Sequence, residues 1–243
     1  MGRTKLHNAT PAVVSNESNG ASKSSVDVLT KFLNGKHLDE RRILKYSSDF
    51  DSAVPFRFLE LRDFLLHPSA VALKRAVVDL DFELKKSDLF EFFQSGDLMT
   101  LSKGVISDFT TLFMSAPFRA YMMSITGIDL SHSEITLFGS RYEDTSYLLP
   151  HDDQLEGRQI AFLYYLSDMN ENNGGELVLF GKMENDEVVS EKVRIRPHFN
   201  SFVFFEVTPA SIHAVSEVIG TGERYTLGGW FVLKGTQKAG EYL

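Results

Sequence analysis

Two regimes of hydrophobic patterning divide the chain. Between residues 26 and 133 the pattern is mixed. Ser69–Val78 (SAVALKRAVV) carries apolar residues at helical spacing behind Pro68 and predicts a helix. Ser107–Thr126 predicts one or two helices, with Pro117 suited to a first turn and Gly127 to a C-terminal stop. The stretch HLDERRILKY, opening at His37, also has helical character, which would put His37 on a solvated face. Pro55–Leu66 (PFRFLELRDFLL) alternates in part at period two and predicts a strand.

From Glu134 onward the period is two. It predicts strands near Ile135–Tyr142, Tyr147–Asp153, Gln159–Leu166, Glu176–Phe180, Val188–Ile195, Ser201–Val207, Ile212–Val218 and Arg224–Val232. Asn172-Asn173-Gly174-Gly175, Arg196-Pro197 and Gly220-Thr221-Gly222 punctuate them. Short strands at this spacing suggest a double-sheet jelly roll with a helical flank. The expected organisation is a tail over residues 1–25, too polar to fold by itself, and one domain over 26–243 whose jelly-roll core runs from about 134 to 232. Walker, GxGxxG and CxxC motifs are missing, so nucleotide hydrolysis and dinucleotide chemistry lose their usual supports.

Composition narrows the chemistry. With 243 residues and no Cys, thiolate metal sites, disulfides and Cys nucleophiles are excluded, and His, Asp and Glu are the strong ligands that remain. The apolar run Ile160–Leu166 is far short of the ~18 residues of a membrane span. The tail resembles no secretory signal, and Leu6 stands where myristoylation wants Ser or Thr, so a cytoplasmic or nuclear address is the expectation. The formal charge is −8 overall, yet the tail is net positive, leaving 22 basic against 32 acidic residues in the body. Such a body disfavours a phosphate backbone and suits a basic protein partner.

Three His are followed by an acid two places on: His37, His132 and His151. In a strand, residues i and i+2 share a face and can grip one ion, whereas in a helix they diverge. By that rule His151 and Asp153 are the candidate pair, with Asp153 preferred over Asp152. His132 sits in a loop and suits a surface or capping role. A two-His, one-carboxylate site needs one further His from another strand. His198 follows Arg196-Pro197 in a turn and suits solvent. His213 lies on an apolar strand, where it is either a third ligand or a hydrogen-bonded core His. Arg224 opens the last strand, with Thr226, Gly228 and Trp230 on its face. An inward Arg beside small residues suits a bidentate carboxylate, and an Arg reaching out to water from the strand's start is the alternative. Trp230 and the strand SFVFFE (Ser201–Glu206) suit a core role better than a substrate wall.

His151-x-Asp153, His213 and Arg224 on a period-two scaffold resemble the Fe(II)/2-oxoglutarate-dependent oxygenases, whose fold is a double-stranded β-helix. The segments QIAFLYYLSD, NGGELVLF and RYTLGGWFV resemble the prolyl hydroxylase branch, and Pro55–Leu66 with the helical flank resembles its eukaryotic ribosomal-protein members. The resemblance implies a dioxygenase that hydroxylates a proline in a small-subunit ribosomal protein. His151, Asp153 and His213 would hold Fe(II), while Arg224, Tyr142, Tyr165 and Thr226 would bind 2-oxoglutarate. Arg158 matches a basic position near the peptide. Dioxygen is the implied co-substrate and ascorbate an optional reductant. Larger members append a second, inactive jelly roll, and this chain ends eleven residues after Val232. Alternatives are an oxygenase acting on another side chain or a small molecule, and a silent jelly-roll interaction module.

Overall fold

The structure, a computed structural model, describes residues 28–182 and 189–236. The tail and Val188 of the expected strand Val188–Ile195 lie outside the described residues. Among the described residues the α-helices and strands with both ends placed follow the order α1 (Glu40–Asp51), β1 (Phe58–Arg62), α2 (His67–Val78), β2 (Phe82–Lys86), β3 (Phe90–Ser95), α3 (Val105–Met114), α4 (Ala116–Thr126), β4 (Ser133–Tyr142), β5 (Tyr147–His151), β6 (Arg158–Tyr165), β7 (Leu177–Lys182), β8 (Val189–Ile195), β9 (Ser201–Glu206), β10 (His213–Val215) and β11 (Arg224–Leu233).

Local chemistry explains the helices. Asp39 caps α1 by accepting from the Arg42 amide, and α2 takes Pro68 in its first turn. The stretch 107–126 splits in two because Ser115 leaves helical geometry, caps α4 by accepting from the Phe118 amide, and precedes Pro117 in the first turn. Gly127, at φ 68°, closes α4 in the left-handed conformation.

All strand pairs are antiparallel, in the order β1-β9-β6-β11-β4-β3-β5-β10-β7-β8, with β2 attached to β3. The ladder between β11 and β4 runs ten residue pairs, from Arg224↔Tyr142 to Leu233↔Ser133. At β3 it thins to two pairs on each side, Phe93↔Arg141 and Gln94↔Ser140 toward β4, Phe90↔Leu148 and Glu91↔Tyr147 toward β5. There the sheet turns its corner, giving a larger layer (β1-β9-β6-β11-β4) and a smaller one (β5-β10-β7-β8). This is the mainly β jelly roll that the sequence predicts.

The larger layer is buried on both faces. Outward, Tyr225, Leu227 and Phe231 of β11 join Phe113, Phe118 and Ile125 of the helices in the main core. Inward, Trp230, Tyr165 and Phe205 meet Leu177 and Leu179 of the smaller layer. Gly229 makes the β11–β4 approach possible, since a Cβ there would stand 1.8 Å from the Thr136 carbonyl oxygen.

Three expectations are corrected. His37 is not on a solvated face: it is 2% exposed, in a short 3-10 turn before α1, where Nδ1 pairs with the Tyr46 hydroxyl and Nε2 with the carbonyls of Arg62 and Asp63. Asp39 breaks the helix there by capping the next one. The hairpin β2–β3 adds strands where the sequence predicted none, and the strand within Pro55–Leu66 is confined to Phe58–Arg62. The predicted strand ending at Asp153 stops at His151.

Candidate active site

The register of the smaller layer sets His213 of β10 directly opposite His151 of β5. Their rings lie 4.2 Å apart, centroid to centroid. Asp153 completes the cluster from the loop after β5: its carboxylate oxygens approach His151 Nε2 at 3.3 Å and His213 Nε2 at 3.4 Å. One donor atom from each of the three residues falls within 4.8 Å of the others.

Asp153 does not share a pleat face with His151. Its φ is 60°, in the left-handed region, so the backbone turns past the end of β5 and brings the carboxylate back. The correct residue emerges from the i, i+2 rule, while the geometry that places it is a bend. Trp230 Nε1 donates to Asp153 Oδ2 at 3.0 Å, and Arg158 Nη1 donates to the Asp153 carbonyl at 3.3 Å.

The imidazoles are oriented from behind. His151 Nδ1 lies 2.9 Å from the Leu149 carbonyl and His213 Nδ1 lies 2.8 Å from the Ser211 carbonyl. A carbonyl only accepts, so each Nδ1 carries a proton and each ring is turned with Nε2 toward Asp153, the nitrogen a metal would take. Burial would raise the Asp153 carboxyl, but the two imidazoles outweigh it and hold it well below the usual range. Burial pulls His151 down while the carboxylate pulls it up further, for a net rise.

A cavity between the layers is lined by this triad together with Tyr142, Arg224 and Trp230. Arg224 is 0% exposed. Its guanidinium carbon stands 4.8 Å from the Tyr142 ring centroid and 5.1 Å from that of Tyr165, with Nη1 3.5 Å from Thr226 Oγ1. Among the described residues its Nε and Nη2 have no hydrogen-bond partner. A fully buried guanidinium with an open donor edge is costly unless an anion meets it. Burial raises both phenols, Arg224 opposing it in each, so both are O–H donors near neutral pH.

The residues therefore fit both groups that the resemblance implies. Two Nε2 lone pairs and a buried carboxylate whose Oδ1 lacks a hydrogen bond make an Fe(II) donor set, and Arg224 with its phenols suits a dicarboxylate.

Arg158 lies inside the site, beside the triad. Its side chain is 2% exposed, with the guanidinium 3.5 Å from the Trp230 ring centroid and Nη1 3.7 Å from Asp153 Oδ1. His132 is exposed in a turn, and His198 is half-buried in the loop after β8, with Nδ1 3.8 Å from Asp168. Sequence reasoning missed the role of Trp230, which is core as expected but also bonds the triad; a buried indole N–H needs an acceptor, and that requirement is the available signal. It also missed Phe92 of β3, stacked on Tyr142 at 4.9 Å.

Residues 137–232 match the family described as the 2OG-Fe(II) oxygenase superfamily. The chain is 39% identical over 179 residues to mouse prolyl 3-hydroxylase OGFOD1, covering 72% of this chain and 31% of that protein. It is 35% identical over 187 residues to the Xenopus laevis protein of the same name, covering 76% and 35%. The chain thus spans about a third of the length of these curated relatives. A Trichoplax adhaerens prolyl hydroxylase, solved with a hypoxia inducible factor oxygen degradation domain peptide fragment, superposes with TM-score 0.61 at 18% identity, covering 82% of this chain and 91% of that one. At that identity the likeness speaks for the fold.

Proposed function

Since residues 137–232 form a 2OG-Fe(II) oxygenase domain, we propose that this protein hydroxylates a proline within a protein chain, using Fe(II), 2-oxoglutarate and dioxygen, and that its substrate is a small-subunit ribosomal protein. The observation that carries the chemistry is that a two-His, one-carboxylate donor set and a buried guanidinium with open donors face one cavity. The relatives' names support the prolyl target, and the acidic body supports a basic substrate.

His151, Asp153 and His213 would hold the metal, with the Leu149 and Ser211 carbonyls engaging both Nδ1 atoms so that Nε2 is the nitrogen presented to it. Fe(II) bound there supplies dioxygen activation, coupling decarboxylation of 2-oxoglutarate to oxygen insertion into a C–H bond. Arg224 offers a fork to the distal carboxylate of the co-substrate, and the neutral phenols of Tyr142 and Tyr165 stand beside it as further donors. Phe92, Phe205 and Leu177 line the same cavity with apolar surface, which keeps water from the reacting centre and strengthens the ionic contacts within it.

The test incubates the full chain with Fe(II), 2-oxoglutarate, air and a small-subunit ribosomal protein digest. Succinate release together with a one-oxygen mass gain on a prolyl residue is expected. Succinate release with every prolyl peptide unmodified would overturn the prolyl assignment while leaving the oxygenase standing.

A further inference from the structure

Asp153 is held more tightly than a lone metal ligand requires. Its Oδ2 accepts from the Trp230 indole, its carbonyl accepts from Arg158 Nη1 and from the Leu155 amide, and the Arg158 guanidinium covers the face of the same indole. The backbone at Asp153 is in the left-handed region, which is uncommon outside glycine although Asp enters it more readily than most residues. Arg158 opens β6, Trp230 lies on β11, and Asp153 follows β5, so two strands of the larger layer reach across to fix a ligand borne by the smaller one. With Oδ2 engaged, Oδ1 is the oxygen left without a hydrogen bond.

We propose that Arg158 and Trp230 are positioning residues: the indole occupies Oδ2 of Asp153, Arg158 braces both the indole and the Asp153 backbone, and the carboxylate is thereby presented to the metal through Oδ1 alone. This rests on the metal site proposed above. It assigns Arg158 to the metal's surroundings rather than to peptide recognition. Partners of this kind typically change metal affinity by about 10–100-fold when removed.

The chain contains one tryptophan, so its emission comes from Trp230 alone. Mn(II), added without 2-oxoglutarate, is the probe, with free Mn(II) counted by electron paramagnetic resonance and indole emission followed in parallel. In the wild type both signals should share one midpoint. Arg158→Gln and Trp230→Phe should each weaken Mn(II) binding by about tenfold or more. Arg158→Lys, which keeps a cation without the planar stack, should recover only part of the loss. The KM for a prolyl peptide at saturating Fe(II) should stay within about twofold of the wild-type value, since neither side chain contacts the peptide in this account. Unchanged Mn(II) affinity with a raised peptide KM in Arg158→Gln would overturn the proposal and return Arg158 to substrate binding. Should the variants fail to fold, wild-type emission indifferent to Mn(II) at occupancies seen by resonance would overturn it equally. His213→Ala separates the two readings: if it binds Mn(II) as tightly as the wild type, the metal site itself is misplaced.

Discussion

The two faces of β11 obey opposite rules although their residues alternate along one strand. Leu227 and Phe231 face the helices and are satisfied by contact alone. Arg224 and Thr226 face the cavity, where Arg224 is buried as completely as any core residue yet keeps two nitrogens without partners. The outer face is finished in the protein alone, whereas the inner face is complete only with an anion and a metal. Burial therefore does not separate stability from function in this strand; unsatisfied polarity does.

The largest effects should split cleanly between the faces. His151→Ala is expected to reduce succinate formation to background with little change in the unfolding midpoint, because this partly exposed ligand of an open catalytic site serves the metal more than the core. Phe231→Ala should do the reverse, costing about 3–5 kcal/mol in urea unfolding while the residual folded fraction turns over normally. Next, Arg224→Lys keeps the charge and loses the fork, so the apparent affinity for 2-oxoglutarate should fall about 10–100-fold, with metal affinity little changed. An unchanged 2-oxoglutarate titration would remove Arg224 as the anchor and the inner face's claim with it.

A smaller effect tests a buried polar group on the helical side. Burial lowers the His37 pKa, with the Arg62 carbonyl opposing. The unfolded chain takes up a proton first, at its ordinary value of 6.5, so His37 contributes full stability above that value and loses it as pH falls toward its folded pKa. The loss is at most ~1.4 kcal/mol per pH unit, and a His37→Gln variant should lack that slope when urea midpoints at pH 7.5 and 5.5 are compared. Turnover per folded molecule should not change, since His37 lies apart from the triad. The smallest effect is electrostatic: turnover of a Lys/Arg-flanked prolyl peptide should drop as salt rises from ~50 to ~300 mM, while peptide-free decarboxylation changes much less.

Much of the site was legible because its chemistry is written in residue types. A His-x-Asp pair, a later His on an apolar strand and an Arg beside small residues are unusual wherever they fall, and the structure brings them to one cavity. The strand boundaries were legible where turns carry Gly, Asn or Pro, as at 172–175. The hairpin β2–β3 was not, because its Ser87–Leu89 turn has no Gly or Pro and its strands carry mixed charge. The bend at Asp153 was hidden for a different reason. The left-handed φ there is accompanied by contacts that hydrophobic alternation does not encode, to Arg158 five residues on and to Trp230 on β11. His37 was misjudged because its acceptors, the Arg62 and Asp63 carbonyls, come from the end of β1 and the residue after it, some 25 positions along the chain.

The central claim is that the inner face of the jelly roll holds Fe(II) and 2-oxoglutarate together. Anaerobic addition of Fe(II) and then 2-oxoglutarate, followed by visible absorption, tests it most directly. The account predicts a weak charge-transfer band that needs both additions, disappears in Asp153→Ala, and in Arg224→Lys requires more 2-oxoglutarate to develop. A wild-type protein that shows no band, or an Asp153→Ala protein that shows it undiminished, would contradict the account.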